Sequence, residues 1–311
     1  MIILFTHTDL DGVGCAILAK LAFGNDVEIK YCNPSEIDKL IKELLDSGKE
    51  YEMCHITDLS VSEDVAKEVD EKCNHFMLRD HHETALGLNK YRWCHVEVED
   101  VLYNIPTSGT ELYCDWLIGN GYLEPSNTLY NFVKVIRDYD TWRWSTLGEE
   151  GLISKKINDL FYIYGAERFI EWSVARIYDK TFPKLKREDE LILNMKQHEI
   201  DKYVLEKDEQ LKISTLCGHV FGYVFADRYI SELGNKLCSK HPEIDFIAMI
   251  DMGKNSISYR TVKDGIHLGQ DIAKKFGGGG HAKAAGSPIP KAFSETVVTD
   301  MFKSMVFHAT K

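Results

Sequence analysis

The opening residues restrict this chain more than any other stretch. Residues 1–5 form an uninterrupted apolar run, as expected of a strand buried on both faces. His7, Asp9 and Asp11 follow at alternate positions, and Gly12 and Gly14 then open a helical run over 13–21. A strand that hands over to a helix in this way suits an open α/β sheet, which binds ligands in the crevice at the carboxyl ends of its strands. Two carboxylates and an imidazole crowded there repel one another unless a cation joins them. Hard divalent ions such as Mg2+ and Mn2+ take oxygen ligands and accept imidazole. The competing reading is a polar loop that caps the helix, with Asp11 in the first turn, where carboxylates are favoured.

The alternation continues downstream. Strands are expected at 27–31, 53–56 and 76–78, with helices at 35–46, N-capped by Ser35, and at 62–72. Four strands alternating with helices make a parallel sheet covered on both faces. The third strand ends at Asp58 and the fourth in Arg79-Asp80-His81-His82, so acids and imidazoles gather after three strands. Further helices fit 109–118, 128–139, 151–164 and 166–178, and the charged stretch 186–208 reads as a connecting helix. Strand-like runs at 211–216, 220–224, 244–250 and 256–260 then surround a helix at 228–238, and a helix at 269–276 leads into four glycines and His281. The expected architecture is α/β throughout. A mainly parallel sheet with flanking helices occupies 1–185, the helical connector 186–208, and a smaller α/β domain 209–311.

The formal net charge of -12 disfavours a protein that grips long nucleic acid by counterion release. A small anionic substrate stays open, because bound cations reverse the local field. The eight cysteines form no CxxC pair and mostly sit in apolar runs, which suits a reduced, cytoplasmic protein. No stretch is long and apolar enough to span a bilayer, and Met1 opens on a strand-like segment rather than a signal peptide.

The strand-end acids Asp9, Asp11, Asp58 and Asp80 and the pair Asp138/Asp140, with His7, His81 and His82, supply enough ligands for two divalent ions. A bridging carboxylate such as Asp58 would hold the ions close together, an arrangement suited to hydrolysis at phosphorus. Taken alone, Asp58 is equally a helix cap and Asp80 a surface carboxylate. Adjacent His81 and His82 point in opposite directions if extended, but a turn lets one ligate and the other face substrate. The glycine run before His281 lets backbone amides nest an anion; the alternative is a flexible loop. Arg260 suits a phosphate through its guanidinium or is a surface arginine, and Arg79 and Arg143 are weaker candidates. Tyr139, Trp142 and Trp144 are read as core or domain-interface residues in preference to base-stacking ones.

Taken together, His7-Thr8-Asp9-Leu10-Asp11-Gly12, Asp58, Asp80-His81-His82, the Asp138 region and Gly278-Gly279-Gly280-His281 with Ala284-Ala285-Gly286 resemble the DHH phosphoesterase superfamily with its DHHA1-type C-terminal domain. The resemblance covers nearly the whole chain, in the family's order. It implies two divalent ions, Mn2+ with Mg2+ or Co2+ as substitutes. His7 and Asp9 would hold the first, Asp11, Asp138 and His81 the second, with Asp58 bridging. Asp140 is the alternative to Asp138, which is preferred because it directly follows the apolar run 132–136. The resemblance further implies a catalytic group of Asp58, His82 and Asp80. Arg260, Gly278, Gly279, Gly280 and His281 would bind substrate, and the active site would lie in the interdomain cleft.

The two-domain build is most similar to the B-type nanoRNase, or oligoribonuclease, branch. The implied activity is hydrolysis of short RNA oligomers or linear dinucleotides to nucleoside monophosphates by metal-activated hydroxide. The protein would act as a monomer or homodimer, without long duplex nucleic acid or a membrane. The same centre would serve a phosphomonoesterase, including one acting on 3'-phosphoadenosine 5'-phosphate, or a polyphosphate or pyrophosphate hydrolase. A nucleotide-binding protein without turnover is the third reading, and the complete acidic set argues against it.

Overall fold

A computed structural model describes residues 1–73, 75–290, 295–297, 299, 300, 302 and 303. The chain divides into two compact units, Met1–Leu193 and Asn194–Lys311.

The first unit opens with the strand β1 (Ile2–Thr6) and helix α1 (Leu10–Phe23). It continues through β2 (Val27–Tyr31), α2 (Ile37–Asp46), β3 (Met53–Thr57), α3 (Glu63–Lys72), β4 (Phe76–Asp80) and β5 (Cys94–Val96). These strands form one parallel sheet in the order β2-β1-β3-β4-β5, as the alternation of elements leads one to expect. Period-two alternation divides the core. Ile2 and Leu4 pack with α1 on one face, while Ile3 and Phe5 join Ile56, Val65 and Leu78 on the other. Both sides of β1 are thereby dry, which is why its sequence is apolar without interruption.

After β5 come a short hairpin, β6 (Glu99–Asp100) and β7 (Ile105–Pro106), and the helices α4 (Gly109–Gly119), α5 (Asn127–Asp140), α6 (Gly148–Tyr164) and α7 (Ala166–Tyr178). Leu117, Phe132, Ile157 and Phe169 from these four helices complete the core on the α1 side. The helix α8 (Arg187–Glu209) fills the segment read as a connector, and the division between the units falls inside it. Its first turn is tied to the first unit by Asp189, which accepts hydrogen bonds from Tyr164, Trp172 and Arg176.

The second unit holds β8 (Lys212–Leu216), β9 (His219–Phe225), α9 (Ile230–Lys240), β10 (Phe246–Asp251), β11 (Ser256–Arg260), β12 (Gly279–Gly280) and β13 (Ala284–Pro288). The sheet order is β12-β13-β11-β10-β9-β8; β9 and β10 pair in parallel across the α9 crossover and the other pairs are antiparallel. Ile247 and Met249 of β10 face α9, and Phe246 and Ala248 face the opposite cluster around Tyr259 and Leu268. The helix expected at 269–276 is present as irregular helical turns over 268–276. Among the described residues no helix is long and apolar enough to cross a membrane.

Candidate metal centre

The strand order in the first unit reverses between β1 and β3, which leaves a crevice at their carboxyl ends. The chain delivers its acids there. Asp9 follows β1 and N-caps α1, accepting the Gly12 amide at 3.1 Å. Asp11 lies in the first turn of α1, where both its oxygens are taken: Gly109 N donates at 2.6 Å and Thr110 N at 2.9 Å. The carboxylate of α1 thus sits on the amino end of α4, the favourable pole of that helix. Asp58 follows β3 in the left-handed backbone region, with φ of 54°. A Cβ on Gly109 would press on Asp58 and on Asp11, so a residue without a side chain is required where α4 meets both acids.

His7 Nδ1 lies 2.8 Å from Asp9 Oδ2 and 3.9 Å from Asp58 Oδ2. His81 Nε2 lies 3.3 Å from Asp58 Oδ1, 3.7 Å from Asp11 Oδ2 and 3.5 Å from Asp140 Oδ2. Three overlapping potential ligand groups result, His7-Asp9-Asp58, Asp11-His81-Asp140 and Asp58-Asp80-His81-His82, with Asp58 also 3.3 Å from His81 of the second. In the third, His82 Nδ1 meets Asp80 Oδ1 at 2.7 Å, and Asp80 also accepts the hydroxyl of Ser60.

The electrostatics bear on which group these residues could hold. Burial, reinforced by Asp11 and Asp9, raises the Asp58 carboxyl well above the carboxylate range. Burial and the same two neighbours push Asp140 up to about 8. Burial opposes ionisation of Asp9 and Asp80 too, but their bonded histidines outweigh it and both are lowered. His7 and His82 are raised, chiefly by hydrogen bonds to Asp9 and Asp80 respectively. Asp58 Oδ2 and His81 Nε2 are buried without a hydrogen-bond partner. Uncompensated carboxylates with unpartnered donor atoms fit divalent cations, and oxygen with imidazole nitrogen is the donor set that Mn2+ and Mg2+ accept.

Asp138 is in none of these groups. It is buried among Lys134, Arg137 and Arg143, with Lys134 Nζ at 3.2 Å and Arg143 Nη1 at 3.1 Å. Helix α5 runs through Asp140, so the two acids are separated by about 200° around its axis and cannot share a face. Proximity to an apolar run did not reveal which face of the helix meets the crevice. Reading the sequence alone also missed Ser60 and the Ser108-Gly109-Thr110 turn that holds Asp11. The available signal was a serine N-cap: Ser108 accepts the Glu111 amide at 3.2 Å.

Trp144 stacks on Tyr139 at 6.1 Å and meets Trp142 edge-on, and Trp142 itself is exposed. In the second unit Arg260 ends β11, donating to the Tyr259 carbonyl at 2.9 Å and to Ser231 Oγ at 3.2 Å. Gly278, Gly279 and Gly280 lie at β12, which pairs with β13; Gly280 has φ of 135°, and a Cβ there would strike Ala285. His281 is exposed, with its amide donating to the Ala284 carbonyl at 2.8 Å.

No family model matches the chain. It is 37% identical over 312 residues to the oligoribonuclease NrnB of Bacillus subtilis (strain 168), an alignment covering 96% of this chain and 76% of that protein. Among solved structures, the manganese-bound exonuclease RecJ matches with a TM-score of 0.58 at 11% identity, over 95% of this chain and 87% of that one. PggH of Vibrio cholerae, a pGpG-specific phosphodiesterase, matches with a TM-score of 0.52 at 16% identity over 98% of each chain. The structural likenesses speak to the fold, the NrnB identity to the family. This chain belongs to the DHH/DHHA1 superfamily of metal-dependent phosphoesterases and is related within it to the NrnB-type oligoribonucleases.

Proposed function

We propose that this protein is a Mn2+-dependent phosphodiesterase that hydrolyses short oligoribonucleotides or linear dinucleotides to nucleoside monophosphates. The observation that carries the reading is that the buried carboxylate of Asp58 reaches both donor groups, with His81 Nε2 at 3.3 Å from one oxygen and His7 Nδ1 at 3.9 Å from the other. His7, Asp9 and Asp58 would hold one ion, and Asp11, His81 and Asp140 the other, with Asp140 in the place first assigned to Asp138. When bound, a pair of divalent ions neutralises phosphoryl charge and makes a nucleophile from water near neutral pH.

The chain's own residues supply the rest. Asp80 holds His82 through Nδ1 and favours its protonated form, leaving Nε2 to give a proton to the 3'-oxygen as the P–O bond breaks. The Gly109 and Thr110 amides fix Asp11 so that the acid cannot turn away from the crevice. Arg260 and His281, with the backbone of Gly278, Gly279 and Gly280, are assigned to the anionic substrate in the second unit, where a guanidinium suits a terminal phosphate. The name of the NrnB relative supports a short RNA substrate.

The test is product identity. Purified protein with Mn2+ is offered dinucleotides including pGpG, short RNAs, 3'-phosphoadenosine 5'-phosphate, pyrophosphate and polyphosphate. Nucleoside monophosphates from the dinucleotides are expected. Orthophosphate as the main product would replace this reading by a phosphomonoesterase or polyphosphate hydrolase. Undiminished turnover by Asp58→Ala would end it.

A further inference from the structure

We propose that a second cavity in the first unit, walled by Trp93 and Trp116 and carrying Arg79 and Arg92, binds a nucleoside monophosphate at a place separate from the metal centre. The cavity measures about 620 Å³, within the usual range for small-molecule sites. It exists because β5 is short: its pairing with β4 begins only at Leu78, so the first residues of β4 have no β5 partner. The segment that leads into β5 brings Arg92 and Trp93 to this gap, and α4 supplies Trp116.

The chemistry of the walls selects the occupant. Arg79 is half-buried, its guanidinium carbon 5.9 Å from the Trp116 ring centroid, and one nitrogen donates to the Leu78 carbonyl at 2.7 Å. Among the described residues no carboxylate pairs with Arg79 or with Arg92. Asp70 and Glu52 also reach the lining, but both are exposed to water and form no ion pair with either arginine. A partly desolvated guanidinium without a counter-charge favours an anion, and its planar fork suits phosphate oxygens. Trp116 is itself stacked on Tyr113 and Tyr122, which leaves Trp93 as the indole that suits a flat aromatic ring, since base stacking on aromatic side chains tolerates any base. An aromatic ring joined to a phosphate is a nucleotide. This proposal rests on the preceding reading only in that a nucleoside monophosphate would be the enzyme's product.

The experiment is calorimetric titration of the Mn2+-loaded protein with AMP, adenosine and inorganic phosphate, on wild type, Arg92→Gln, Trp93→Phe, Arg79→Gln and Asp58→Asn. Arg92 is exposed and its substitution is compatible with folding; thermal melts check the other variants. The wild type is expected to bind AMP at the cavity at least tenfold more tightly than adenosine or phosphate. Arg92→Gln and Arg79→Gln should weaken that equivalent at least tenfold, and Trp93→Phe should weaken it less. Asp58→Asn, which disables the metal centre, should retain it. Wild-type affinity and stoichiometry in both arginine variants would overturn the proposal, as would loss of all AMP binding in Asp58→Asn. Inorganic phosphate binding as well as AMP would overturn the assignment to a nucleotide. Because binding is read without turnover, failure of the phosphodiesterase reading would leave the Asp58→Asn result intact.

Discussion

His81 Nε2 lies 3.5 Å from Asp140 Oδ2, a contact that joins the end of β4 to the last residue of α5. The two acids of this segment have different surroundings. Asp140 faces His81 and Asp11, whereas Asp138 neutralises Lys134, Arg137 and Arg143. Asp140→Asn is expected to lower kcat by at least about 100-fold and to weaken Mn2+ binding, while Asp138→Asn lowers the melting temperature with a smaller effect on Mn2+ affinity. Parallel assays of turnover, metal titration and thermal melting check the split. Equal Mn2+ affinities for the two variants would count against it.

Asp58 is buried with Oδ2 lacking a hydrogen-bond partner, and burial, with Asp11 and Asp9 beside it, raises its carboxyl well above the carboxylate range. Replacing it with asparagine removes a repelled charge at nearly constant volume. Asp58→Asn should therefore be more stable than wild type when both are stripped of metal. Mn2+ should stabilise the wild type by mass action and leave the variant nearly unmoved. Differential scanning calorimetry with and without Mn2+ measures both effects, and a full Mn2+ shift in the variant would refute the bridging role.

Gly109 is needed because α4 begins against two acids at once. Gly109→Ala should fold, since the position opens a helix, but the added methyl must displace Asp58 or Asp11. We expect Mn2+ affinity to fall at least about tenfold, the scale of lost support for a metal ligand. The readout is metal titration beside far-ultraviolet circular dichroism, which should stay native.

His55 lies in β3, fully buried, with Nδ1 at 2.7 Å from the Tyr113 hydroxyl. Burial, with a smaller contribution from Arg79, depresses its pKa from 6.5 to about 3. The unfolded chain therefore binds this proton where the native protein does not, so stability is full above pH 6.5 and falls as pH drops towards 3. Between about pH 7.5 and pH 5 the loss should be roughly 2 kcal/mol from this residue alone. Urea denaturation at both pH values, on wild type and His55→Gln, checks it. The variant should be less stable at neutral pH, yet lose about 2 kcal/mol less on acidification.

The layered plan was legible in the sequence, and so were the candidate ligands. A short apolar run with no polar break is explained by a strand dry on both sides, and acids that recur after successive parallel strands gather at the carboxyl edge of the sheet. His7, Asp9, Asp11, Asp58 and His81 fall in the clustered ligand groups. Folding alone decided matters that depend on direction about an axis. Helix α5 carries Asp138 and Asp140 on different faces, and only packing against α1, α4 and α6 determines which face meets the crevice. The support for the Asp11 carboxylate arrives from the backbone amides of Gly109 and Thr110, nearly a hundred positions later, and the Ser108 N-cap marks the helix start without marking its partner. The cavity beside Arg79 arises from where β5 starts to pair, a matter of register between distant segments that local composition does not encode.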